Sequence, residues 1–508
     1  MGEISISMKI LITSLFIASS MVVSARNFKS LVPSTPSKAP DYFCTWNIQG
    51  YYNSYIDGGA KMRQEMNEEN IFGCGPNQDW ISFYPQIRHD LFFVMDDSWD
   101  VPRGNDQGRF MGLAELSEER FPSFKGHPAQ RLKKLVKKVK AQGWKGLGGW
   151  ICAQQAECKK DIPEDEYWTE RLKSAETAGF SYWKVDYGRR QNDTEWRRRL
   201  TNLGRQHAPH MKIEHAMNRE CVEFSDVFRT YDVENIIAQP VTIQRVASLL
   251  PFKAEDALSG IINCEDEPYI AAGLGCAIGI MRHPYVGNLP DGRQDDVFPP
   301  VGHNYKRCLD EVVRAVRWHR LAMPFGVNND ALIDEELFED YWEIRENETW
   351  NRQHPAGTVL RESAPARIAR NMPLPEVNDS DATRPFILAS TYPNGAVALA
   401  AIGRAQGREY IQREVPVAIQ CRDILAPIGL FGFFSEVTII YPTPLPAGIR
   451  ILAQDLAGDI PVDITNDIKI TSNALIIPGS IIRRIGLMNA TPGDLSAPGL
   501  VIKIIKER

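Results

Sequence analysis

From residue 41 to about residue 325, short apolar runs alternate with segments whose apolar residues recur at helical spacing. The runs at 43–49, 91–97, 145–152, 182–186, 212–216, 227–232, 261–264 and 278–282 predict strands. The spacing predicts helices over 128–142, 164–179, 195–207, 241–250 and 306–321. In the first of these, Pro128 suits an opening turn. Leu132, Leu135, Val136 and Val139 form one stripe, and Gly143 ends the pattern. Its basic residues, Arg131 to Lys140, read as a solvated outer face rather than a polyanion site. Eight strands with helices between most of them predict an α/β protein built on a (β/α)8 TIM barrel. The long stretch 53–88 reads as an elaborated first loop. Over 328–384 the periodicity fades into an extension, and from 385 short β-rich runs separated by turns predict a C-terminal antiparallel β-sandwich.

Composition changes this picture only at the N-terminus. Lys9 precedes an apolar run, 10–23, and Val23 and Ala25 are small enough for a cleavage site. The expected organisation is therefore a signal peptide over 1–25 and a Ser/Pro/Lys-rich linker over 26–40. The barrel over 41–327, the extension over 328–384 and the sandwich over 385–508 follow. A secreted or periplasmic location is implied. The apolar run is short for a membrane span and no later segment is apolar enough, so no membrane partner is expected. A net charge of −6 argues against nucleic acid as the main partner. The nine cysteines contain no CxxC and no Cys/His zinc spacing, and neither a cofactor nor a metal is expected. Asn192, Asn347, Asn378 and Asn489 begin glycosylation sequons. The oligomeric state stays open.

The candidate chemistry lies at the strand ends, where a barrel of this kind carries its functional side chains. The second strand runs into Asp96-Asp97-Ser98-Trp99, the fourth carries Lys184 and ends at Asp186, and the fifth carries Glu214 and His215. The sixth is Phe228-Arg229-Thr230-Tyr231-Asp232, the seventh runs into Glu265-Asp266-Glu267, and the third offers Trp150 and Gln154. Carboxylates interleaved with aromatics describe a sugar site: rings stack on C–H faces and carboxylates take pairs of hydroxyls. Two opposed carboxylates are what glycoside hydrolysis needs. Lys184 favours an ionised Asp186, as a nucleophile requires, and Asp232 would be the acid, its proton affinity reduced by Arg229. His215 reads as a sugar contact. Gly273-Leu274-Gly275 reads as close helix packing, and Glu265-Asp266-Glu267 as a loop acid with a helix N-terminal cluster rather than a calcium site.

These residues resemble glycoside hydrolase clan D, the α-galactosidase or melibiase-like enzymes of families 27 and 36. Cys44-Thr45-Trp46-Asn47, Asp96-Asp97-Ser98-Trp99, Lys184-Val185-Asp186 and Arg229-Thr230-Tyr231-Asp232-Val233 fall in the order of the clan's motifs. The resemblance implies Asp186 as nucleophile and Asp232 as acid/base. It implies Asp96 and Asp97 as ligands of sugar hydroxyls with Lys184 beside them, and Trp46 as a wall. Trp99, Trp150, Glu214, His215 and Arg229 complete the expected substrate-binding set. Gly188 stands where the family has a cysteine, so the family's disulfide there is missing. The expected activity is that of a retaining exo-glycosidase on galacto-configured termini of an oligosaccharide or polysaccharide. A transglycosylase on the same scaffold, or a carbohydrate-binding barrel without catalysis, are the alternatives.

Overall fold

A computed structural model describes residues 28–51, 59–73, 78–104, 107–230, 237–285, 308–345 and 355–506. Eight parallel strands close into a barrel in sequence order. They are β1 Tyr42–Cys44, β2 Phe92–Met95, β3 Gly146–Ile151, β4 Tyr182–Val185, β5 Lys212–His215, β6 Val227–Arg229, β7 Ile261–Glu265 and β8 Ala277–Ile280. The first is shorter than its apolar run suggested. After Cys44 the Thr45 amide still pairs with Val94, but the Thr45 carbonyl already accepts the Gln49 amide, and Trp46–Gln49 is a short helix. The apolar character of that turn comes from packing at the barrel mouth, not from strand pairing.

The helices follow the predicted stripes. Pro128–Ala141 opens on its proline and buries Leu132, Leu135, Val136 and Val139. One basic residue departs from the solvated outer face: Arg131 is buried, donating to the Leu116 carbonyl and pairing with Glu118. A guanidinium reaches round the edge of a helix that an ammonium of the same face leaves in water.

Three mixed sheets follow the barrel: a larger one of eight strands, a smaller one of five, and a third of four in which Leu337–Glu343 and Val359–Pro365 join Arg404–Gly407 and Glu409–Ile411. Arg367–Arg370 pairs in parallel with Phe386–Thr391, Val397–Ile402 with Ile428–Phe431, and Pro416–Gln420 with Glu436–Ile440. The chain crosses between the sheets before returning, which sets neighbours side by side in the same direction. Where periodicity faded, the structure has strands: Ala331–Ile333 and Arg367–Arg370 extend the larger sheet, and Leu337–Glu343 pairs with Val359–Pro365 as a hairpin. Leu337–Glu343 alternates exposed and buried positions.

The larger sheet lies directly on the barrel's last helices. Residues Phe386, Leu388, Ala398, Ala400, Phe431 and Val501 belong to the same buried cluster as the barrel's Ile270, Leu274 and Val316. The helix Pro268–Leu274 approaches so closely that a Cβ on Gly273 would sit 2.8 Å from the Ala400 Cβ, while Gly275 ends the helix in the left-handed region at φ 65° against Phe325. Arg314, on the helix Leu309–Trp318, is buried against Asp455 at 3.0 Å, and Tyr392 donates to the Ala272 carbonyl at 2.7 Å.

Candidate active site

The C-terminal ends of β2, β4, β6 and β7 deliver charged side chains into one space. Alternation along β4 turns Tyr182 and Lys184 inward, and Asp186 follows just past the strand end. Asp186 is held from two sides. The Trp150 indole N–H donates to its Oδ2 at 2.8 Å, and the Arg229 guanidinium to its Oδ1 at 2.9 Å. Its backbone carbonyl accepts from Arg197 at 2.9 Å. It retains 8% exposure, against 0% for Glu214 deeper in the barrel. The expectation that Lys184 would be its cation is corrected here. Lys184 reaches across the barrel to Asp96 at 2.8 Å and lies 3.6 Å from Glu265. The cation of Asp186 comes instead from β6.

Asp96 accepts from the Cys44 thiol, Lys184 and the Asp97 amide. Burial pushes its carboxyl up, but Lys184 and these bonds hold it below the usual carboxylate range. Asp97 goes the other way: burial raises its carboxyl, only partly offset by Arg63, whose Nε pairs with Oδ2 at 2.6 Å. The Ser98 hydroxyl donates to Oδ1 at 2.9 Å from a residue at φ 81°. Arg63 comes from the elaborated first loop and also donates to the Tyr187 hydroxyl. Nothing in the sequence of that loop marked it.

Four of the expected substrate contacts are placed elsewhere or deeper. His215 faces outward from β5, its ring nitrogens on Arg197 at 3.0 Å and Thr201 at 2.8 Å. The parity of the strand decides this, since Glu214 points inward. Burial and Arg197 push the imidazole well below its ordinary value, so it is a neutral hydrogen-bonding residue behind the site. Glu214 is fully buried below the mouth, accepting from Tyr42, Tyr182, Arg229 and Asn263. Trp99 is a core residue, its indole donating to the Trp150 carbonyl and its ring packing on Phe180. Arg229 is buried among Asp186, Glu214 and Glu265 and serves as their counterion. Trp46 is half-buried at the end of β1, packed against the cluster of Tyr42, Cys44 and Tyr182. Asp232, the expected acid, lies outside the described residues.

Glu265 is the site residue that the sequence reading left to a loop. It ends β7 facing inward, 3.6 Å from both Lys184 Nζ and Arg229 Nε. Burial pushes its carboxyl up to about 7, against the lowering effect of Arg229 and Lys184. Asp266 is structural: from φ 56° its carboxylate accepts the Met281 and Arg282 amides. Among the described residues no group of His, Cys, Asp and Glu could hold a metal ion, and the eight described cysteines are free. Beside Arg229, the loop from Met217 to Arg219, Thr230 and Arg245 border a cavity of about 470 Å³.

The backbone after Asp186 is set by Gly188. It sits at φ 148°, and a Cβ there would lie 2.8 Å from three backbone atoms of Ala153. The Ala153 amide donates to the Tyr187 carbonyl at 2.8 Å, which ties this turn to the end of β3. Gly188→Ala is expected to cost about 2 kcal/mol of stability. Thermal unfolding checks this, and an unchanged Tm would show that the turn relaxes freely.

No family model and no curated protein matches the chain. Among solved structures, it is similar to α-galactosidase I from Mortierella vinacea, at 11% identity over 95% of this chain and 99% of that one, with a TM-score of 0.40. A family 27 β-L-arabinopyranosidase from Geobacillus stearothermophilus, in complex with arabinose, is similar at 10% identity over 93% and 98%, with a TM-score of 0.42. An α-galactosidase from Saccharomyces cerevisiae is similar at 10% identity over 93% and 97%, with a TM-score of 0.36.

Proposed function

We propose that the protein is a secreted retaining exo-glycosidase that hydrolyses terminal galacto-configured sugars, with Asp186 as nucleophile and Asp232 as acid/base. The observation that carries this reading is the setting of Asp186. A carboxylate at the C-terminal mouth of the barrel, fixed by Trp150 and Arg229 and still reached by solvent, is prepared to attack an anomeric carbon. The two donors fix its rotamer, and positioning is what makes such an attack fast. Asp96 and Asp97 stand on the β2 side of the same mouth as acceptors for sugar hydroxyls, each already oriented by a cation.

A screen with p-nitrophenyl glycosides and plant oligosaccharides tests the reading, and no turnover on any of them rejects it. Proton NMR of the first-formed product tests retention. An initial product of inverted configuration would make Asp186 a base that activates water.

Asp97→Asn is expected to fold and to lower kcat/KM at least tenfold, about 1.4 kcal/mol of transition-state binding. The amide weakens the tie to Arg63 and removes the charge that tightens on a hydroxyl as the ring flattens. Steady-state kinetics on the best substrate decide, and unchanged values would make the pair purely structural.

A further inference from the structure

Two cations, Lys184 and Arg229, stand on the barrel floor among four carboxylates: Asp96, Asp186, Glu214 and Glu265. The carboxylates are unequally served. Glu214 takes four donors, Asp96 three and Asp186 two. Glu265 is 2% exposed, its oxygens stand 3.6 Å from the two cations, and its Oε1 has no hydrogen-bond partner. It is also the only one of the four that touches both cations. Through Lys184 it is joined to Asp96, and through Arg229 to Asp186.

We propose that Glu265 is a positioning residue for the glycosidase chemistry: its carboxyl joins Lys184 to Arg229 and sets how much of the Arg229 charge is left to hold Asp186. With Glu265 protonated, Arg229 is shared between Asp186 and Glu214. With Glu265 ionised, its charge draws on Arg229 from the Nε side and loosens the hold on Asp186. The same charge also lies below the place where an oxocarbenium-like transition state becomes positive. The proton leaves to solvent. Burial places this ionisation at about 7, within the range of ordinary assays.

Other groups frame it. Tyr42 and Cys44 come from β1, Asp96 from β2, Tyr182, Lys184 and Asp186 from β4 and just beyond it, Glu214 from β5 and Arg229 from β6. β8 contributes no titratable side chain, and Arg282 beyond it is taken by Asp266 and Glu311. Burial keeps both tyrosines and the thiol protonated well above neutrality, and the pairing carboxylates keep both cations charged. Glu265 is the carboxyl of this set that burial pushes up to about 7.

The inference rests on the proposed function, and its test separates the two. The full chain, as wild type, Glu265→Gln and Glu265→Asp, is assayed on an aryl glycoside whose leaving group needs no proton. The ratio of wild-type to Glu265→Gln kcat/KM is expected to grow about tenfold from roughly pH 5.5 to roughly pH 8.5. Glu265→Asp is expected to regain part of that rise. A ratio that is flat with pH means a merely structural role and overturns the inference while leaving the glycosidase reading intact. A wild type that cleaves no glycoside removes the reaction being positioned, and both fall together. Carbon NMR of protein labelled at the glutamate carboxyls gives a readout without turnover. One resonance should titrate near neutrality in the wild type and be missing in Glu265→Gln. If every glutamate carboxyl titrates below about pH 5.5, the inference is overturned whatever the kinetics show.

Discussion

Asp186→Ala will be folded and will have lost on the order of 10³-fold or more in kcat, and azide will restore part of the rate. Both halves of this expectation come from the neighbours of the residue. Removing the carboxylate does not strand Arg229, because Glu214 at 3.2 Å and Glu265 at 3.6 Å remain as its counterions. The fold therefore keeps its charge balance. What remains where the carboxylate stood is a small space facing the Trp150 indole N–H and one Arg229 amino group. Those two donors make a seat for a small anion. Azide bound there attacks from the same side as the lost carboxylate and gives a glycosyl azide of inverted configuration. Asp186→Glu will be nearly inactive, since one added methylene displaces the oxygens by more than the reaction tolerates. Wild-type turnover by Asp186→Ala, or labelling of another carboxylate by a mechanism-based inhibitor, would sink the assignment of the nucleophile.

Arg229→Met will be destabilised by about 3–5 kcal/mol at neutral pH. The side chain is fully buried and stands against three carboxylates, so an apolar replacement of similar length fills the volume but leaves the anions without their shared cation. Glu214 keeps the Tyr42, Tyr182 and Asn263 donors, whereas Asp186 keeps only Trp150. The deficit should shrink as pH falls, because the stranded carboxyls will then have folded-state pKa values above their unfolded ones. Such groups contribute stability that is present at low pH and lost as pH rises through the raised value. Arg229→Lys should restore little, since one ammonium cannot face Asp186, Glu214 and Glu265 from three nitrogens. Chemical denaturation at two pH values measures this, and a loss below about 1 kcal/mol would mean that Arg229 is not the hub of the floor.

The barrel was legible because each strand is a compact apolar run and each helix a clear stripe, and those patterns are local. Asp186 was legible for the same reason: it falls at the end of a run, two residues after Lys184. The partner of Asp186 was not, because pairing across a barrel depends on which side chains share a layer. Lys184 is long enough to reach Asp96 on β2, and that left Asp186 to Arg229. His215 was misplaced although strand parity contains the answer, since it follows the inward Glu214 directly. Glu265 was passed over because three consecutive acids look like a solvated loop. Only the strand register shows that the first of them points into the barrel and the second clamps the amides after β8. Arg63 had no local signal, being an ordinary residue in a long first loop. The mixed direction of the sandwich strands was invisible for a related reason, since a short β-rich run carries no mark of which neighbour it will pair with.

The packing of the larger sheet on the barrel's last helices bears on motion at the mouth. Glu265 ends β7, and the return helices that follow β7 and β8, Pro268–Leu274 and Leu309–Trp318, are the surfaces on which the larger sheet rests. With Gly273 in contact with Ala400 and Arg314 bound to Asp455, that flank of the barrel is braced as a keel braces a hull. Adaptation to a substrate then falls to the loops that carry Arg63 and that follow β5, since the helix Ala238–Leu249 beside the cavity at Arg229 is itself covered by the strand Val359–Pro365. Strands take over from helices already near residue 331, and the barrel's apolar core continues into one face of the larger sheet while the other face closes a core of its own.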